Sequence, residues 1–160
     1  MTGITFTPIG TVHSPFRDPR DMPIQPVGAR GVRGTIELDP AYAAGLKDLT
    51  GFSRIILLYH LHRTEGYALE VVPFLDTTPH GVFATRAPRR PNAIGLSVLR
   101  LVTVEGATLT VEDVDILDGT PVIDIKPYVP AFDAYPDERA GWLASTSEAA
   151  RTRRSDGRFC

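Results

Sequence analysis

The 14 prolines and 14 glycines of this 160-residue chain are spread along its whole length and cut it into short segments. Proline removes a backbone donor and fixes φ, and glycine costs a helix interior about 1 kcal/mol relative to alanine. Helical periodicity is weak, and most segments between these breaks alternate or carry β-branched residues. Strands are expected over residues 4–14 (Pro8 suiting an edge or a bulge), 33–38, 53–62, 67–74, 80–85, 94–106, 107–116 and 121–129. Glu105-Gly106-Ala107 is a natural hairpin turn between two of them. The best helical stretch is 39–49, with Asp39 as N-cap and Pro40 at the first helical position, and 137–143 is read as one turn. The expected fold is all-β, a small curled barrel of mostly antiparallel strands with few short helices. Residues 1–143 form this one domain, and the polar, arginine-rich stretch 144–160 is expected to be a disordered tail.

Several function classes are absent. No apolar run reaches the roughly 18 residues that span a bilayer. "MTGITFTPIG" lacks the charged and apolar regions of a secretion signal, and Cys160 is the single cysteine, so a disulfide or cysteine-built zinc site is not expected. A cytoplasmic protein fits these features. A net charge of −2 does not announce a nucleic-acid binder. Of the 17 basic residues only Lys47 and Lys126 are lysines, which reflects either a GC-rich genome or selection for bidentate anion recognition. "GARGVRG" spaces its glycines by three and does not match the dinucleotide fingerprint. No P-loop, nucleophile elbow or zinc signature occurs. An enzyme of this sequence that uses a nucleotide-like cofactor would do so without a Rossmann domain.

Four stretches carry candidate chemistry. "FATRAPRRPNAIGLSVLRL" places Arg86, Arg89 and Arg90 on a loop stiffened by Pro88 and Pro91. It is either an anion-binding loop or a solvated basic turn paired with nearby carboxylates. "DVDILDGTPVIDIKPY" carries Asp115, Asp118 and Asp124, with Asp118-Gly119-Thr120-Pro121 as turn chemistry. Asp124 and Lys126 share one strand face, as a pocket wall or as a salt-bridged surface. In "YHLH" the imidazoles of His60 and His62 lie on one face, but a metal needs three or four ligands, and only His13 and His80 could add more. No metal is expected. "HSPFRDPRDMPIQPVGARG", residues 13–31, is a surface loop or a mobile binding loop.

Taken in order, "IGTVHSPF", "GVFATRAPRRPNAIGLSVLRL" and "LDGTPVIDIKPYVP" resemble the TsaA/TrmO family over about residues 4–143. The resemblance implies an S-adenosylmethionine-dependent methyltransferase with a β-barrel fold. It implies a homodimer that binds the cofactor near the subunit interface and methylates N6 of threonylcarbamoyladenosine beside the anticodon of tRNA. Arg86, Arg90, Pro91, Asn92, Ile94, Gly95 and Ser97 match the central motif. Asp115, Asp118, Gly119, Thr120, Pro121, Asp124, Lys126, Pro127 and Tyr128 match the second block, and Gln25-Pro26 looks like the glutamine–proline of the N-terminal loop. Ala93 and Ile24 depart from the proline and the basic residue common in longer members. Those members continue into a C-terminal subdomain, whereas this chain stops soon after Trp142 apart from the tail. The alternative is therefore a family member with a different methyl acceptor, or a non-catalytic binder of S-adenosylmethionine or RNA.

On this resemblance, the cofactor-binding candidates are Gln25, Phe83, Arg86, Arg90, Pro91, Asn92, Leu96, Ser97, Leu117, Asp118, Gly119 and Thr120. Arg86 and Arg90 would hold a carboxylate or phosphate. Phe83, Leu96, Leu117 and the backbone near Asp118 would form the adenine slot. Asp118, Asp124 and Tyr59 are the candidates to accept a proton from a weakly nucleophilic nitrogen.

Overall fold

The computed structural model describes residues 2–20, 22–144 and 154–156. Its strands are β1 Gly10–His13, β2 Arg33–Leu38, β3 Arg54–His60, β4 Glu70–Val71, β5 His80–Gly81, β6 Ile94–Glu105, β7 Thr108–Glu112 and β8 Thr120–Pro127. β6 and β7 form the expected hairpin, with Gly106 at φ 61 in the left-handed region that glycine enters without cost. Six strands close into a barrel in the order β1-β2-β7-β6-β3-β8, every neighbour antiparallel. The expected all-β barrel is therefore the observed fold, and closure leaves its ladder without a free edge.

The barrel fills because its strands alternate. Ile55, Leu57, Leu99, Leu109, Val111 and Val122 are wholly inaccessible and interdigitate inside. Burying a side chain of this size stabilises the fold by roughly 1.5–3 kcal/mol. A bulge in the β3–β8 pairing sets Tyr59 opposite Val122 and Leu58 opposite Asp124, with Ile123 extra. The bulge inverts the alternation, so Val122 points inward while Asp124, two residues on, lies with Leu58 on the outer wall.

Several elements are shorter than the sequence pattern predicts. Residues 3–9 are not a strand, and Ile4 and Phe6 are exposed. The stretches 67–74 and 80–85 contribute only the two-residue strands β4 and β5, which form a separate small sheet. Pro73 follows closely after β4, and the chain after β5 coils into a 3-10 turn over Val82–Ala84. In 107–116, β7 ends at Glu112 because Asp113 takes a φ of 67. The expected helix at 39–49 is a 3-10 helix over Pro40–Leu46, where Asp39 does cap, its carboxylate accepting from Ala41 N at 2.9 Å. The single turn expected over 137–143 is a 3-10 turn at Gly141–Leu143.

Most of the stretch expected to be a disordered tail, 144–160, lies outside the described residues. Of its described part, Arg154 bridges Pro23, and Ser155 N donates to the Met22 carbonyl at 2.7 Å. No helix among the described residues is long and apolar enough to cross a membrane.

Candidate functional site

Antiparallel closure sorts the connections by barrel end. The β1–β2, β3–β6 and β7–β8 connections all leave the end where β1, β3 and β7 finish. These are residues 14–32, 61–93 and 113–119, and they include the proline-rich loop, the arginine loop and the Asp-Gly-Thr-Pro turn. Segments far apart in sequence thus meet at one rim.

Hydrogen bonds join the three loops there. Arg86 Nη1 donates to Gln25 Oε1 at 2.7 Å, tying the arginine loop to the first connection. Asp118 Oδ1 accepts from Ser14 N at 3.0 Å, and Asp118 N donates to the Phe16 carbonyl at 2.7 Å. Asp118 thus locks the first and third connections together. The amides of Gly119 and Thr120 are likewise spent, on the carbonyls of Val12 and Leu117. What this turn can still offer a ligand is carbonyl oxygen rather than N–H.

The three arginines have different surroundings. Arg86 is exposed and forms no ion pair among the described residues, so most of its guanidinium fork is open. Arg90 folds back on its own loop, Nη1 donating to the carbonyls of Thr85 and Ala87, each at 3.1 Å. Arg89 faces away, lining a cavity of about 530 Å³ with Ala68, Glu70 and Asp76, and its Nε is buried without a hydrogen-bond partner. Pro91 and Asn92 are exposed on the same loop. Phe83 is 75% exposed and Leu96 48%. Leu117 is buried beneath the turn.

Inside the rim runs a polar chain through an otherwise apolar barrel. Ser97 Oγ donates to Asp115 Oδ1 at 2.7 Å, and the Tyr59 hydroxyl lies 2.9 Å from Ser97 Oγ. A serine hydroxyl has one proton; as Ser97 gives it to Asp115, Tyr59 must be the donor to Ser97. Burial drives the Asp115 carboxyl up to about 7, against the opposing pull of its Ser97 hydrogen bond and of the Arg86 charge. Burial, with the Asp115 charge, also pushes the Tyr59 phenol up, so it stays protonated.

The candidate residues therefore separate. Gln25, Arg86, Ser97, Asp118 and Tyr59 come together at one end of the barrel. Asp124 is on the outer wall, where its carboxylate pairs with Lys126 Nζ at 2.8 Å and accepts from Ile125 N at 2.9 Å. His60 and His62 gain no companions: among the described residues no group of three or more His, Cys, Asp or Glu is placed to hold a metal. Asp115, matched to the family's second block but not taken as a site residue, is the member that sequence reasoning passed over. Its nearest signal was the run of aspartates, which does not say which one a neighbouring strand will bury.

Comparison with known proteins places the barrel in a family. Residues 11–134 match the model of the tRNA-methyltransferase O N-terminal domain. The chain is 53% identical over 156 residues to a probable S-adenosyl-L-methionine-binding protein of Pyrococcus abyssi, covering 98% of this chain and 85% of that one. It is 34% identical over 159 residues to the tRNA (adenine(37)-N6)-methyltransferase of Escherichia coli, covering 93% of this chain and 68% of the other. The crystal structure of TrmO from Pseudomonas aeruginosa superposes with a TM-score of 0.75 at 40% identity, covering 88% of this chain and 63% of that one. The barrel, the rim where its three long connections meet and these matches lead to one conclusion: the chain belongs to the tRNA-methyltransferase O family, through its N-terminal domain.

Proposed function

We propose that this chain is an S-adenosylmethionine-dependent N-methyltransferase that acts on threonylcarbamoyladenosine beside the tRNA anticodon, as a cytoplasmic homodimer. The observation that carries the reading is the exposed guanidinium of Arg86, held by Gln25 at the rim and in no salt bridge among the described residues. A planar fork left unpaired beside exposed apolar side chains suits a ligand with a carboxylate at one end and an aromatic ring at the other. The methyl donor has both. When bound it supplies an electrophilic methyl group on a sulfonium.

The chain's own residues then bind and align. Arg86 and Gln25 hold the carboxylate, and Phe83 and Leu96 cover the ring, with Leu117 beneath. The carbonyls of the Asp118-Gly119 turn and the face of Phe83 favour a cation. Thr120 supports that turn, its Oγ1 donating to the Leu117 carbonyl at 2.6 Å. Arg90 shapes the loop from which Pro91 and Asn92 project, and Asp118 ties the loops. Exposed Phe83, Ile94 and Leu96 favour a second copy of the chain over the site, which would exclude water. The tRNA acceptor rests on the activity of the Escherichia coli relative, a tRNA (adenine(37)-N6)-methyltransferase, and the threonylcarbamoyl group on the sequence resemblance.

Titration calorimetry tests the first step. The wild-type chain binds S-adenosylmethionine, and Arg86→Ala weakens binding roughly 10- to 100-fold, the cost of losing charge-assisted hydrogen bonds. A wild-type chain that binds none overturns the reading. Mass spectrometry of tRNA nucleosides from a deletion strain tests the acceptor. Loss of the methylated threonylcarbamoyladenosine supports it, and unchanged nucleosides with active cofactor turnover assign another acceptor.

A further inference from the structure

We infer that Asp115 is the residue that takes the proton from the methyl-accepting nitrogen, and that Ser97 and Tyr59 are the positioning residues that hold its carboxylate. The inference rests on the reading of the chain as an N-methyltransferase. Three observations carry it. Tyr59, Ser97 and Asp115 form one hydrogen-bonded line from the barrel interior to the rim. Its inner members are buried, whereas Asp115 is partly exposed, its carboxylate accepting from Ser97 Oγ and from its own backbone N–H. The line thus ends in a partly exposed residue of the third connection whose carboxylate feels the charge of Arg86.

The second observation is the surroundings. Inside a barrel of Ile, Leu and Val, a polar triplet is no better for stability than apolar side chains of the same shape. The third is that the strand is shaped around it. The Tyr59 ring crosses β6 at Gly95, where a Cβ would lie 2.2 Å from Tyr59 Cε2. A side chain is missing where the ring must pass to reach Ser97.

In the step, the nitrogen lone pair forms the new N–CH3 bond as the C–S bond breaks, and that bond's electron pair stays on sulfur, leaving a neutral thioether. The N–H proton passes to the Asp115 carboxylate, and the neutral acid later returns it to water. A urea-like nitrogen is a poor nucleophile until its proton is taken, so a positioned acceptor matters most here. Arg86, from the arginine loop, and Tyr59, from β3, are the charged and titratable groups that act on this carboxyl. Its midpoint of about 7 matches the range in which a general base works best near neutral pH.

The test is the pH dependence of kcat/KM for methyl transfer to tRNA, with S-adenosylmethionine binding measured on the same proteins. Wild type loses activity on the acid side with a midpoint near neutrality. Asp115→Asn lowers kcat by roughly 10²- to 10⁴-fold, removes that acid limb and keeps cofactor binding. Ser97→Ala keeps the carboxylate but removes a hydrogen bond that favours its charged form, so the acid limb moves to higher pH. A purely structural role would not move that limb. Wild-type kcat in Asp115→Asn, or an acid limb that stays put in both variants, overturns the assignment alone. A wild-type chain that binds cofactor yet methylates no tRNA overturns the tRNA reading and the assignment together, and the wild-type arm by itself distinguishes that case.

Discussion

Gly95→Ala is a one-carbon change that should disable the polar line without touching any of its members. Gly95 pairs with Tyr59 across the β3–β6 ladder, and its φ is not in the left-handed region, so alanine meets no backbone obstacle. The obstacle is space. The added Cβ would lie 2.2 Å from Tyr59 Cε2, 2.6 Å from Cζ and 2.8 Å from Cδ2. These atoms belong to a rigid ring that is only 7% exposed, so it cannot swing into solvent. Overpacking of this kind costs typically 1–3 kcal/mol. If the ring tilts to escape, the 2.9 Å contact to Ser97 Oγ opens, and a buried polar group left unpaired costs about 1–3 kcal/mol more. Replacing glycine by alanine returns about 0.4–1 kcal/mol through the unfolded chain. The net loss is about 1–6 kcal/mol, which for a domain of this size lowers Tm by roughly 2–20 °C. Calorimetric melting of Gly95→Ala checks this, with Tyr59→Leu and the double variant completing a cycle. The double variant should lose less than the two singles added, since leucine leaves the crossing point open. A Tm within about 2 °C of wild type for Gly95→Ala would refute the steric reasoning.

Two further outcomes follow from the same structure. Asp115 has a folded-state pKa raised from 3.8 to about 7, so between those values the native chain holds a proton that the unfolded chain has released, and stability falls as pH rises through this window. Three units correspond to about 4 kcal/mol as an upper bound, and Asp115→Asn should flatten the fall of Tm between pH 4 and 7. Equal slopes in variant and wild type would show that Asp115 does not titrate there. Gly10→Ala should lower the denaturant midpoint by an amount equivalent to about 1–3 kcal/mol, because its Cβ would meet backbone at Glu37 O (2.5 Å) and Leu38 Cα (2.9 Å), which cannot rotate aside. An unchanged midpoint would refute the steric argument at the β1–β2 contact.

The sequence displayed the barrel through alternation. In β6, Ser97 and Leu99 point inward while Leu96 and Arg100 point outward, as a period of two requires. The elements that misled were those where a local break outweighs alternation. Residues 67–74 carry enough β-branched and aromatic side chains to read as a strand, yet only Glu70–Val71 pairs. The rim was legible in part. Arg86 was visible as a charged group on a proline-stiffened loop, and Gln25 only through the family resemblance. The outward placement of Asp124 follows from a bulge at Ile123, and bulges leave no reliable mark in sequence. Asp115 and Asp118 look alike in "DVDILDG"; their difference comes from Ser97 on a distant strand and Ser14 on a distant loop.

The closed strand order has a consequence for how the chain must assemble. Gly10 pairs with Leu38 on one side and with Val122 on the other, so the first strand is held by the last. Among the described residues only β6 and β7 are joined by a tight turn, and the other barrel ladders link strands separated by long connections. Loop-closure entropy is spent before those ladders form, which favours slow folding, with the β6–β7 hairpin as the natural early unit. During synthesis the barrel cannot close until β8 has left the ribosome. Until then β1 and β3 each present an unpaired edge, and in that interval the chain is most exposed to aggregation.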